Sequence, residues 1–184
     1  MIIEYSIENF RSIRDEVTVS FVATPDDSLP NNMFDTPEIK DHLLKSLAVF
    51  GANASGKTNV LYALSVLQNL VLNSHMNQKG TLLRYAPFRL DEEYLGKPTK
   101  LSVAFISGGI RYRYGVSFTS DKIIDEYLYK YPKGRRAIIF ERHDTTNYIF
   151  NVDKKEQKFI SERTLDNVLY LSSSTQLKYA GTTN

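Results

Sequence analysis

The sequence predicts an α/β fold, with a parallel core strand and helix carrying a phosphate-binding loop and an antiparallel β-meander after them. Three observations carry that expectation. The first is Gly51-Ala52-Asn53-Ala54-Ser55-Gly56-Lys57-Thr58, which reads G-x-x-x-x-G-K-[ST]. The second is the pair of flanks. Leu47-Ala48-Val49-Phe50 is a short unbroken apolar run, the pattern of a buried parallel strand. Val60, Leu61, Leu64, Leu67, Leu70 and Val71 then fall at helical spacing, with Asn59, Ser65, Gln68 and Asn69 between them. The third is the change of hydrophobic period from helical to two beyond Thr99.

The loop spacing has a chemical reason. Gly51 and Gly56 let the backbone bend and approach phosphate closely. Successive N–H groups of Asn53, Ala54, Ser55 and Gly56 can then form an anion-binding nest. The Lys57 ammonium reaches the β- and γ-phosphates, and the Thr58 hydroxyl suits Mg²⁺. A helix N-terminus behind the loop adds a favourable dipole. ATP and Mg²⁺ are therefore the expected ligands.

The 184 residues are enough for one domain with a core. The absence of cysteine excludes disulfides and Cys-based metal sites, and three scattered histidines make a poor zinc site. A net charge of +2 neither demands nor excludes nucleic acid. No apolar run approaches the roughly 20 residues that span a bilayer. The N-terminus lacks a signal peptide's regions, so elimination predicts a cytoplasmic location.

Residues 1–24 read as a tight β-hairpin, Ile3, Tyr5 and Ile7 alternating in one strand and Val17, Val19 and Phe21 in the other. Residues 25–42, crowded with Pro25, Asp26, Asp27, Pro30, Asn31, Asn32 and Pro37, read as a surface loop. Residues 43–77 hold the loop strand and helix, and 99–152 the antiparallel insertion. Within that insertion, Ser107-Gly108-Gly109 is a turn between alternating strands, and Pro132-Lys133-Gly134 is another. Residues 153–163 read as a charged helix or loop, and Val168-Leu169-Tyr170-Leu171 as a further strand.

Hydrolysis by such a loop needs an acidic strand end. The nearest match, Ile123-Ile124-Asp125-Glu126, continues its alternation through Tyr127, Tyr129 and Tyr131, so it reads as solvent-side charge on a meander strand. Ile106-Ser107-Gly108-Gly109-Ile110 imitates the L-S-G-G-Q signature of ABC-type ATPases, but that signature must open a helix, and these flanks are strands. The chain thus carries a nucleotide-binding half without the groups that complete hydrolysis.

Ile7-Glu8-Asn9-Phe10-Arg11-Ser12 resembles the N-F-R-S turn that opens SMC-like, RecF-like and double-strand-break-repair ATPases of the ABC class. Gly51 to Asn59 is similar to their G-x-N-G-S-G-K-[ST]-[NS] loop, with Ala54 in place of a glycine. The whole looks most like the N-terminal part of the AAA-type ATP-binding proteins of prokaryotic defence operons, relatives of the OLD and abortive-infection ATPases. The resemblance implies a P-loop ABC-type ATPase head whose N-terminal lobe fills residues 1–184 and is incomplete, the helical arm, signature helix and acidic strand following it. It implies that Arg11 lies beside the phosphates, the alternative being a solvated turn arginine. It implies that Asn53 faces the nucleotide or a dimer partner, the alternative being a turn-former. Gln176, in residues 165–184, matches the family's glutamine at Mg²⁺ or the attacking water; an exposed structural glutamine is the alternative, and Gln68 is its competitor. Asn59 closes the loop motif.

The mechanism the resemblance implies is ATP sandwiched between two heads, a homodimer joined through the nucleotide, whose opening drives an arm or an attached effector protein. It places the chain in antiphage defence or DNA transactions and leaves room for DNA or RNA as partners. A different reading is a non-hydrolysing interaction module with nucleotide as a structural ligand. Its partner surface would be the tyrosine-rich meander with Arg111, Arg113, Arg135 and Arg136, if the tyrosines are not simply the packed face of the sheet and the arginines its solvated face.

Overall fold

The computed structural model describes residues 1–26 and 28–183. Asp27 of the polar stretch and the terminal Asn184 lie outside the described residues. The architecture is mixed α/β: one large antiparallel sheet with helices against one face. Strands β1 (Ile2–Glu8), β2 (Val17–Ser20), β5 (Thr99–Ser107), β6 (Ile110–Phe118), β7 (Ile123–Tyr131), β8 (Ala137–His143) and β9 (Asn147–Phe150) lie in the order β2-β1-β5-β6-β7-β8-β9. Strands β3 (Met33–Thr36) and β4 (Ile39–Leu44) form a separate hairpin. Helices α1 (Lys57–Asn73), α2 (Lys154–Ser161), α3 (Tyr170–Gln176) and the single turn α4 (Ala180–Thr183) complete the chain.

Alternation decides the layers. Tyr5, Ile7, Leu101, Tyr114, Val116 and Phe118 face inward and meet Ala63, Val66, Leu67 and Leu70 of α1. Ile160 of α2 and Tyr170 of α3 extend the same core. The β5–β6 turn is a two-residue hairpin in which both Gly108 (φ 54°) and Gly109 (φ 71°) are left-handed, as the right-handed strand twist requires. No helix among the described residues is long and apolar enough to cross a membrane.

Five sequence expectations need correction. Residues 33–42, read as part of a surface loop, belong instead to the β3–β4 hairpin, which ends at Leu44. Backbone bonds Ala23 N–H to His42 O and Leu44 N–H to Phe21 O dock it, and Leu43 is fully buried. The Pro- and Asn-rich approach and the exposed polar run Lys40-Asp41-His42 between Ile39 and Leu43 hid the strand. Leu47-Ala48-Val49-Phe50, read as a buried parallel strand, pairs with no strand among the described residues, and Phe50 is 89% exposed. A strand is held by backbone hydrogen bonds to a neighbour, and the pairings of the large sheet are all antiparallel and involve none of residues 47–50.

Val168–Leu171, read as a strand, instead leads into α3. Its local apolar run is overridden by a tertiary cap: Glu126 accepts hydrogen bonds from Tyr170 N–H (2.6 Å) and Leu171 N–H (2.9 Å). Glu126 is therefore not solvent-side charge but fully buried, although Asp125 beside it remains half-exposed. The register also places Tyr129 opposite Arg113 and Tyr131 opposite Arg111, so the β7 tyrosines share the outer face with the arginines instead of packing inward.

Candidate nucleotide site

The site is built where a turn of the N-terminal hairpin meets the first turn of α1. Phe10 and Ile13 exchange backbone hydrogen bonds of 2.8 Å each way, leaving Arg11 and Ser12 at the tip. Asn9, at φ 52°, holds this turn from beneath. Its side chain is fully buried, donates to the carbonyls of Lys97 (2.7 Å) and Tyr94 (3.0 Å), and accepts from Phe88 N–H (2.9 Å). Asparagine tolerates the left-handed backbone that the turn imposes. The Arg11 N–H donates to Ala86 O at 2.7 Å, so the strap of residues 83–90 fixes the tip from the side.

From that tip, Arg11 reaches α1. Its guanidinium donates to Asn59 Oδ1 at 3.3 Å and lies 4.1 Å from the Tyr62 ring centroid. Asn59 Nδ2 donates to Ser12 Oγ at 2.8 Å. Ser12 in turn abuts the loop: a Cβ on Gly56 would stand 3.0 Å from its Oγ. Gly56 has φ 93°, a conformation that excludes other residues, so both its backbone and its neighbour demand glycine.

The loop itself is exposed. The Lys57 ammonium donates to Gly51 O (2.8 Å) and Ala52 O (2.7 Å) and lies 3.5 Å from Ser55 Oγ. The backbone N–H groups of Gly56, Lys57 and Thr58 have no partner among the described residues. No acidic residue stands in the first turn of α1, so nothing there offsets the positive end of the dipole. Ala54 has φ 63°, the strained side of the backbone map for a residue with a Cβ. Asn53 and Thr58 are exposed at the loop surface.

The structure thus brings Arg11, Ser55, Gly56, Lys57, Thr58 and Asn59 together at one end of α1. It does not bring Gln176 there. Helix α3 contacts the opposite end of α1, where Ser172 Oγ accepts from His75 N–H and Leu169 N–H donates to Ser74 Oγ. A helix of 17 residues separates those ends by about 25 Å. Gln176 is exposed at the last turn of α3.

Asp125 and Glu126 are also committed elsewhere. Ser117 Oγ donates to Asp125 at 2.8 Å. Glu126 accepts from Tyr114 Oη (2.9 Å) in addition to the α3 amides, with Arg142, 1% exposed, 4.0 Å away. Burial pushes the Glu126 carboxyl above its ordinary range, against the pull of Arg142 and the amides. Arg142 itself joins the β8–β9 turn to the loop entering α3, donating to Thr145 O (2.5 Å) and Val168 O (2.7 Å).

Ser12 and Tyr62 are contacts that residue type alone did not single out. Tyr62 lies three residues beyond Asn59, on the same helix face, which is the one signal that could have found it. The exposed cradle fits nucleotide phosphates: free amides, one ammonium and one guanidinium converge on it. For a metal, it offers a hydroxyl at Thr58 and no carboxylate cluster; no group of three His, Cys, Asp or Glu residues able to hold an ion occurs among the described residues.

A family model described as "AAA domain, putative AbiEii toxin, Type IV TA system" matches residues 46–173, which include the loop, α1 and all of the meander from β5 to β9. No curated protein sequence matches the chain.

Proposed function

The chain belongs to that AAA-domain family of nucleotide-binding ATPases, and we propose on this basis that it binds ATP with Mg²⁺ at the N-terminal end of α1. One observation carries the reading: the hairpin tip delivers Arg11 to the same helix turn that presents Lys57 and three unpartnered amides. The amides of Gly56, Lys57 and Thr58 hold the phosphate oxygens. Lys57 leaves the carbonyls of Gly51 and Ala52 to neutralise them, and Arg11 supplies a second positive charge from the side. Thr58 would be the protein's ligand to Mg²⁺, whose charge would offset that of the phosphates. Asn53 stands at the exposed lip, in reach of a second head.

Binding without turnover is the expected state of this chain alone. With Asp125 and Glu126 engaged in structural bonds, polarising a water falls to groups outside the described site. Those groups come from a C-terminal half and from dimerisation of two heads through the nucleotide, and Gln176 takes part only if that assembly carries α3 toward the loop. The toxin–antitoxin wording of the family description supports, as a family-level analogy alone, a role in antiphage defence. The test is a titration with a fluorescent ATP analogue. Arg11→Ala should weaken binding and Lys57→Ala should remove it, each without loss of fold. Unchanged affinity in both variants would refute the site.

A further inference from the structure

A cleft of about 430 Å³ lies beside the nucleotide site, between Arg11 and Ser12 of the hairpin tip and the strap Ala86-Pro87-Phe88-Arg89-Leu90. Its volume falls within the roughly 300–1,000 Å³ of small-ligand pockets. Ser12 also borders the phosphate loop: its Oγ accepts from Asn59 Nδ2 and lies 3.0 Å from where a Cβ on Gly56 would stand. Arg11 donates to Asn59 Oδ1 and rests on the Tyr62 ring. The cleft and the cradle of amides thus share a wall.

The strap is preformed. Ala86 O accepts from Arg11 N–H (2.7 Å), Phe88 N–H donates to Asn9 Oδ1 (2.9 Å), and Leu83 N–H donates to Ser120 O (2.8 Å). Pro87 is buried, and Phe88 packs edge-on against Tyr94. Leu90 closes the same strap yet is 90% exposed, an apolar side chain lining a cleft with no protein over it. Arg89 is exposed and has no carboxylate partner among the described residues. No carboxylate lines the cleft. Apolar surface, an unpaired guanidinium plane and the absence of acid suit a flat heteroaromatic ring attached to an anion.

We infer that this cleft receives the nucleoside of the bound ATP, the adenine ring lying against Leu90 and the Arg89 guanidinium with its triphosphate on the loop. The inference rests on the phosphate site proposed above. Continuity decides the occupant: the phosphates are anchored at the amides of residues 56–58, and the cleft begins at the side chain that abuts Gly56. A peptide side chain would find the same Leu90 but would have no tie to the loop. Ala86 O and Phe88 N–H are already engaged, so the ring is held by its faces and not by these two strap groups.

The experiment is isothermal titration calorimetry of the purified chain with ATP and with tripolyphosphate, each with Mg²⁺. Tripolyphosphate reports the phosphate site alone, and the ratio of the two affinities reports the nucleoside. Arg89→Ala with Leu90→Ala should lower that ratio at least about tenfold, the scale on which truncating a base-stacking contact acts. Leu90→Phe should hold the ratio at or above the parent's, because a ring offers a base more face. Lys57→Ala should remove binding of both ligands. Residues 89 and 90 are exposed, so the fold does not depend on them, and far-UV circular dichroism checks it. If Lys57→Ala removes both ligands but the double variant keeps the parent's ratio, or Leu90→Phe lowers it as far as the double variant should, this inference is overturned and the phosphate site stands. Binding of neither ligand by the parent, or affinities that Lys57→Ala leaves unchanged, would overturn both readings.

Discussion

Replacing Glu126 by alanine separates a structural carboxylate from a catalytic one. The side chain is fully buried and accepts three hydrogen bonds, from Tyr114, Tyr170 and Leu171, at 2.6–2.9 Å. Its removal leaves two α3 amides uncapped and a nearly inaccessible Arg142 without its countercharge. Breaking a buried ion pair by deleting one partner costs about 3–5 kcal/mol. That is a large share of the roughly 5–15 kcal/mol by which domains are stable. Urea denaturation followed by circular dichroism should show this loss, with ATP affinity of the folded fraction unchanged. Glu126→Gln should cost less, because the amide keeps the volume and one acceptor, yet its NH₂ cannot accept from Tyr170 N–H. A Glu126→Ala variant within about 1 kcal/mol of the parent would refute the structural role. So would a Glu126→Gln variant of parental stability that had lost ATP turnover.

Three other outcomes follow from particular contacts. Asn9→Ala removes bonds to Tyr94, Lys97 and Phe88, so it should cost about 3 kcal/mol in urea denaturation and also weaken ATP binding, since Asn9 seats the turn that carries Arg11. Ala54→Gly relieves about 1–2 kcal/mol of left-handed strain at φ 63° but adds unfolded-chain entropy. Thermal denaturation should show a small net gain, and a loss would contradict the strained loop. At Glu141, burial raises the carboxyl, but hydrogen bonds from Tyr129 and His143 and the charge of Arg136 outweigh it and hold it below its ordinary value. Its stabilisation is therefore present above the unfolded value of 4.5 and lost as pH falls through the lower folded value. Denaturation midpoints of the parent and Glu141→Gln should converge on acidification; a gap that widens would be the wrong sign.

The period-two alternation of residues 99–150 was legible because each of those strands has one apolar face and one polar face. The loop motif was legible because phosphate chemistry fixes residue types at fixed spacing. The hairpin of residues 33–44 was not, because its pairing residues sit between turn-forming prolines and asparagines and its docking depends on the backbone of Phe21 and Ala23. Helix α3 was hidden for a different reason: its N-terminal cap comes from Glu126, 44 residues earlier, and no local window contains it. The same distance effect concealed the outer-face tyrosines, since an alternating pattern states that two faces exist but not which one meets a helix. In the nucleotide site, the sequence identified the turn and the loop separately. Their junction at Asn59, with Ser12 against Gly56, emerges only in three dimensions.

The most direct measurement follows ATP binding and phosphate release on one sample of the purified chain, with Lys57→Ala as the reference. The account predicts Mg²⁺-dependent binding that the variant lacks, and phosphate release no greater than the variant's. Steady turnover that Lys57→Ala abolishes would contradict it and return Asp125 and Glu126 to catalysis. Failure to bind ATP at all would remove the site itself.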